Sequence, residues 1–290
     1  MKAVMLKLGG SETAAIATDR GYVPITAINR ALGAQWGETL MELLENGQWE
    51  ALVRWHREAG GRQALALLEA VPTGEAKLAP IVRRPRKIMG LGMNYMEKLI
   101  ELKGSADDAP VLFAKPDTSL IGDGEPIRLP VQSERVTAEA ELAIVIGREC
   151  KDVDETEAPA VVAGYAASLD MTAADLLAQN AKYMFRAKSF DSFFSLGSEL
   201  ATADELPEWE RLVVETVHNG QTVHRNTVAM MRYNPWHIVS FVSRVMRLLP
   251  GDIIMTGTPG SVRIVSGDEA ECRISGLAPL RNPVNMFKQA

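Results

Sequence analysis

Two glutamates stand two residues apart in A-E-A-E-L-A-I-V-I-G (138–147), a run that otherwise reads as a buried β-strand. Side chains two apart in a strand project to one face, so Glu139 and Glu141 would sit roughly 6–7 Å apart along the backbone. Like charges at that spacing repel unless something neutralises them, and one divalent cation would neutralise both. The residues that follow, Leu142 to Ile146, are apolar on both faces, as expected of an interior strand. A second short apolar run, G-Y-A-A-S-L-D (164–170), ends in Asp170 and offers a third carboxylate. Three hard oxygen ligands with no His or Cys near them in sequence suit Mg²⁺, Mn²⁺ or Ca²⁺ better than Zn²⁺. Taken alone, the two glutamates could equally pair with Lys or Arg at a sheet edge.

The elements that would position these groups can be read along the chain. Met1 to Leu8 and Thr13 to Thr18 read as a β-hairpin around Gly9-Gly10-Ser11, and 37–45, 49–59 and 63–70 carry apolar residues at helical spacing. Residues 1–82 are therefore expected as a small N-terminal α+β domain, with Trp49, Trp55 and His56 as packing residues. V-R-R-P-R-K (82–87) is a Pro-containing basic connector, and the main domain is expected over 83–290. Its first strand is 87–92, followed by a helix-like run over 96–103. Helices are expected over 156–162, 172–180 and 236–249. Strands are expected around the Asn219-Gly220 turn, which favours a two-residue hairpin, and over 252–256, 262–265 and 270–275. The fold class is α+β, mostly β.

Composition narrows the function classes. The 290 residues are 47% hydrophobic and 23% charged, with a formal net charge of -6, so no basic surface invites nucleic acid or anionic lipid. No apolar stretch reaches spanning length, and the first residues lack a signal-peptide pattern, so a cytoplasmic protein is expected. Cys150 and Cys272 lack CxxC spacing or a nearby His and read as bland thiols.

Seven blocks carry a resemblance. K-I-M-G-L-G-M-N-Y (87–95), P-V-L-F-A-K-P (110–116), E-A-E-L-A-I-V-I-G (139–147), the strand into Asp170, R-A-K-S-F-D (186–191), P-G-D-I-I-M-T-G-T-P (250–259) and G-L-A-P-L-R-N-P-V (276–284) come in family order. The chain resembles the fumarylacetoacetate hydrolase family, its bacterial acylpyruvases and 2-hydroxyhepta-2,4-diene-1,7-dioate isomerases in particular. The resemblance implies a mixed β-sandwich or roll as the main domain, and usually a homodimer. It matches Glu139, Glu141 and Asp170 to the residues that hold a divalent metal, Mg²⁺ or else Mn²⁺ or Ca²⁺. Such a metal chelates a 2-oxo acid or 1,3-dicarbonyl and stabilises the enolate formed when a C–C or C–H bond breaks. Lys188 matches the family's active-site lysine, whose ammonium neutralises developing oxyanion charge. Thr258 matches a substrate-holding position, and Tyr95 and Arg186 are placed with it at the substrate.

The sequence also departs from the family. Family hydrolases read G-L-N-Y-x-x-H-x-x-E, where the His, oriented by the Glu, activates water. Here G-M-N-Y-M-E-K-L-I-E puts Lys98 in the His position and keeps Glu101. A lysine beside a glutamate stays protonated and is no base. Likewise Ala174 and Leu177 replace an Arg and a Gln that contact substrate in relatives, which implies a more apolar pocket. The expected activity is metal-dependent hydrolysis of a C–C bond in a β-diketone or acylpyruvate, with Lys188, Glu101 and Lys98 as the catalytic set. The alternative keeps the enolate without water attack, in an isomerase or tautomerase, a 2-oxo acid decarboxylase or a hydratase. A non-catalytic homologue keeping the metal for stability alone would have no need of Lys188.

Overall fold

The computed structural model describes residues 1–96 and 109–286. The expected helix over 96–103 lies, apart from its first residue, outside them. The strands are β1 (Lys2–Leu8), β2 (Ser11–Thr18), β3 (Gly21–Pro24), β4 (Leu78–Ala79), β5 (Ile88–Gly92), β6 (Val111–Lys115), β7 (Leu120–Ile121), β8 (Ile127–Leu129) and β9 (Val136–Ile146). They continue with β10 (Val162–Ala173), β11 (Phe194–Leu196), β12 (Glu199–Ala201), β13 (Val213–His218), β14 (Gln221–Thr227), β15 (Ile253–Met255), β16 (Ser261–Ile264), β17 (Glu269–Ile274) and β18 (Leu280–Met286).

Among the described residues these strands form two mixed sheets, with helices packed around them. The larger runs β3-β2-β1-β12-β10-β9-β15-β5-β6, and the smaller β14-β13-β17-β18-β8. The long antiparallel pair β9–β10 is the centre of the larger sheet. Alternation along β9 divides its side chains between two cores. Ala138, Ala140, Leu142, Ile144 and Ile146 share a core with Val214 of β13, Cys272 of β17 and Leu280 of β18 on the smaller sheet. Ala143 and Val145 face the other way, into a core completed by Met1, Ala3, Met5 and the apolar faces of the N-terminal helices. Strand β1 pairs with β12, so the N-terminal strands extend the main sheet.

The N-terminal helices cover that second face, and Trp49 is among the residues that anchor them. The β9–β10 register slips between Val162 and Gly164, which takes Ala163 out of the ladder. Its carbonyl accepts instead from Trp49 Nε1 at 3.0 Å. Trp49→Phe keeps most of the apolar volume but deletes that donor, leaving a buried carbonyl unpaired. Urea unfolding should show a loss of about 1–3 kcal/mol.

Several boundaries differ from those read in sequence. Thr172 and Ala173 belong to β10, where they pair with Thr137 and Val136, so the helix occupies only Ala174–Gln179. The stretch expected as a helix over 156–162 narrows to a 3₁₀ turn, Ala158–Val161, with Pro159 in its first turn. Pro235–Val245 is capped by Asn234, whose Oδ1 accepts from His237 N at 2.8 Å, and ends four residues before Leu249. A helix at Ile25–Leu32 and strands β3, β8 and β18 have no counterpart in the sequence reading.

Candidate active site

The acidic cluster follows from strand register. On β9 and β10, Glu139 lies opposite Asp170 and Glu141 opposite Ser168, so cross-strand pairing and two-residue alternation converge three carboxylates on one face. Their nearest oxygens all lie within 4.8 Å of one another. That face is the one away from the smaller sheet.

Strands β15 and β16 close the cluster from the other side of β9. Met255 pairs with Ala143 and Ser261 with Glu139, so residues 256–260 arch past Glu141. Within the arch Gly257 N donates to Glu141 Oε2 at 2.5 Å. Thr258 is buried, and its hydroxyl donates to Gly260 O at 3.0 Å and accepts from Gly260 N at 3.2 Å, which shapes the turn.

Two lysines answer the three carboxylates. Lys188 ends the short helix Met184–Lys188, and its Nζ meets Asp170 Oδ2, Thr172 Oγ1 at 2.9 Å and Glu139 Oε2 at 3.5 Å. It also lies 4.3 Å from the centre of the Phe113 ring. Lys115, the last residue of β6, is fully buried and lies 2.7 Å from Asp170 Oδ1. Its protons go to the carbonyls of Met171, Lys188 and Phe193 at 3.0, 2.8 and 2.7 Å. Asp170 Oδ1 thus lies against an ammonium that it shares with three backbone carbonyls.

Burial and mutual repulsion set the electrostatics. Burial first, then Asp170 and Glu139, push Glu141 well above the usual carboxylate range. Burial acts the same way on Asp170, but Lys115 and Lys188 outweigh it and hold that carboxyl below its ordinary value. Burial pulls Lys188 down, and the carboxylates of Asp170 and Glu139 more than restore it, so its ammonium is held above its ordinary value. Lys115, desolvated and beside Lys188, is pushed down to about 8.

These features test whether the residues fit a divalent cation. Glu141 is a buried carboxylate destabilised by two others, and the three carboxylates crowd within 4.8 Å of one another. Both are relieved by a hard cation with oxygen ligands, and Glu139, Glu141 and Asp170 are the residues that would hold it.

The other residues expected at the site lie as follows. Tyr95 is fully buried beneath it, with its hydroxyl unpartnered among the described residues and pushed up by burial and by Glu141. Arg186 is exposed, with its guanidinium 5.6 Å from the Tyr183 ring centre, away from Lys188 two residues on. Lys98 and Glu101 lie outside the described residues. Ala174 opens the helix after β10, its N–H donating to Arg135 O, and Leu177 packs on the first core. Sequence reasoning gave no role to Lys115. The available signal was a lysine ending an apolar strand within the block 110–116. Cys150 and Cys272 are free, and burial pushes the Cys272 thiol up to about 12, so alkylation of the folded protein at this position should be slow.

The chain is similar to several named enzymes. Mitochondrial oxaloacetate tautomerase Fahd2a of Rattus norvegicus is 31% identical over 273 residues, covering 91% of this chain and 84% of that protein. The crystal structure of maleylpyruvate hydrolase from Sphingobium sp. SYK-6 in complex with manganese(II) and pyruvate superposes with a TM-score of 0.80 at 27% identity, covering 99% of this chain and 100% of that one. The 2-hydroxyhepta-2,4-diene-1,7-dioate isomerase of Mycobacterium marinum gives 0.75 at 27% identity, with both chains fully covered. Residues 87–285 match the family model described as fumarylacetoacetate (FAA) hydrolase C-terminal. With an acidic triad on β9 and β10, a lysine held over it and this match across most of its length, the chain belongs to the fumarylacetoacetate hydrolase family of enzymes.

Proposed function

We propose that this enzyme interconverts keto and enol forms of a small 2-oxo acid. The observation that carries the reading is the buried Lys188 ammonium, paired with Asp170 and Glu139, in a chain whose four histidines all lie on other elements. His56 lies on the N-terminal helix Trp49–Arg57, His218 pairs with Asp268 at 2.9 Å, His224 sits against Ser261 O at 3.1 Å on the second sheet, and His237 stacks on Tyr233. The imidazole that activates water in family hydrolases thus has no stand-in among them.

A divalent cation held by Glu139, Glu141 and Asp170 would polarise the 2-oxo acid and favour its enolate form. Lys188 Nζ remains an ammonium at the edge of the cluster, where it can donate a hydrogen bond to the oxygen on C2 as negative charge develops there. Asp170 and Thr172 fix the ammonium in place, and Lys115 fixes Asp170 and the Lys188 carbonyl. Tautomerisation moves one proton between C3 and the C2 oxygen and consumes no water. The described charges also favour an anionic substrate. Three carboxylates and two ammoniums leave one negative charge, a divalent cation makes the site positive by one, and a monocarboxylate neutralises it.

Hydrolysis of an acylpyruvate is the second reading, favoured by the likeness to the maleylpyruvate hydrolase structure. One experiment separates the two. Proton NMR in deuterated water with Mn²⁺ or Mg²⁺, compared with a metal-free control, is expected to show rapid exchange at C3 of oxaloacetate and of a small acylpyruvate without cleavage. Release of pyruvate and the matching acid would replace the tautomerase reading with hydrolysis. Absence of both would remove the enolate reading.

A further inference from the structure

We propose that Asn94 is a positioning residue for Glu141, acting through the peptide plane between Thr256 and Gly257. The inference rests on the reading of the acidic triad as a divalent-cation site.

Asn94 follows β5 and is 1% exposed. Its Oδ1 accepts from Tyr233 N at 2.9 Å, and its Nδ2 donates to Tyr233 O at 3.0 Å and to Thr256 O at 2.7 Å. Only one amide orientation satisfies all three bonds, because the reversed amide would set its oxygen against two carbonyls. The carbonyl of Thr256 and the N–H of Gly257 belong to the same peptide unit. Asn94 therefore holds one end of that unit, and the other end donates to Glu141 Oε2 at 2.5 Å.

The unit needs such a hold. Gly257 has φ +98°, a region open to glycine and closed to most residues, and glycine tolerates a flip of the preceding peptide. The flipped peptide would turn the Thr256 carbonyl toward the Glu141 carboxylate and remove its donor. Thr256 N and Oγ1 both bond Leu142 O at 3.0 and 2.9 Å, which anchors the residue but leaves the plane beyond it to be chosen. Asn94 makes the choice, and the two bonds polarise each other through the amide they share. The approach is close enough that a Cβ on Gly257 would lie 2.7 Å from Asn94 Cβ. Glu141 is thus aimed by a residue 47 positions upstream that touches neither the carboxylates nor Lys188.

The test is a Mn²⁺ titration without substrate, following free Mn²⁺ by electron paramagnetic resonance. Wild type is compared with Asn94→Ala and the isosteric Asn94→Asp, and Trp49→Phe serves as a destabilised control away from the site. Loss of an outer-shell partner should weaken Mn²⁺ binding by about 10–100-fold in both Asn94 variants. Trp49→Phe should lose stability with no change in affinity. In wild type the Gly257 amide should be strongly protected from hydrogen exchange, and in the Asn94 variants it should exchange quickly. Unchanged Mn²⁺ affinity in a folded Asn94 variant, or rapid exchange of the Gly257 amide in wild type, overturns the positioning role. Failure of wild type to bind Mn²⁺ overturns the triad reading, and the positioning role with it.

Discussion

Glu141→Gln is expected to abolish divalent-cation binding and turnover together while leaving the metal-free protein as stable as wild type or more so. The substitution keeps the shape and the acceptor that Gly257 N–H requires, and removes one of three crowded charges. Burial and the neighbouring Asp170 and Glu139 disfavour the ionised carboxylate, so its loss relieves repulsion within the metal-free fold. The same change leaves two carboxylates where the site offers three and puts a neutral amide in a buried position, and transition-state stabilisation worth several kcal/mol goes with it. Turnover should fall by about a thousandfold or more. Thermal melts with and without Mn²⁺ provide the check. Wild type should gain melting temperature on saturation with the cation, because a ligand that binds only the native state stabilises it by mass action. Glu141→Gln should show no gain. Near-normal activity in this variant would remove the cation from the mechanism.

How far the site was legible in the sequence depends on how far apart its parts are. Glu139 and Glu141 are two residues apart, so the pleat alone puts them side by side. Asp170 is on the next strand, and its place beside Glu139 depends on a register that a single sequence expresses only as two apolar runs of similar length. Lys115 is harder, because its role depends on the carbonyls of Met171, Lys188 and Phe193, which the fold brings to it from later elements. Asn94 is in the same position, since its partners come from residues 233 and 256. Tyr95 and Arg186 show the converse. Adjacency in a motif does not say which side of an element a residue takes, and one lies buried beneath the site while the other is exposed.

The fold follows the same rule. The long apolar strand β9 and the Asn219-Gly220 hairpin carry their own signals, and both are present in the structure. Strand β8 has three residues and β18 contains Pro283, so neither shows a periodicity of its own. They exist because they pair with each other, Val284 opposite Ile127, and because β18 also pairs with β17. Pairing also sets where β10 ends. Thr172 and Ala173 have helical company in sequence, but the ladder to Thr137 and Val136 keeps them extended.

Lys188→Met is expected to separate the lysine's two roles, because the neutral side chain fills the same slot without the charge. Turnover should fall by about 10²–10³-fold, the loss seen when one preorganised donor to a developing oxyanion is removed. Cation affinity should hold or rise, since the ammonium repels a cation and occupies Asp170 Oδ2 and Glu139 Oε2, oxygens the cation would use. Metal-free stability should move in the opposite direction. Lys188 Nζ is buried, and its loss leaves Asp170 with Lys115 alone and Glu139 without this partner, a disruption that costs about 3–5 kcal/mol for a buried pair. Adding Mn²⁺ should return most of that loss, because the cation supplies the positive charge the variant lacks. The melting-temperature gain on Mn²⁺ addition should therefore be larger in Lys188→Met than in wild type, while the rate stays low. A variant with unimpaired turnover would exclude Lys188 from stabilising the developing oxyanion. One whose metal-free stability matched wild type would show that the pairs with Asp170 and Glu139 contribute nothing to holding the carboxylates together.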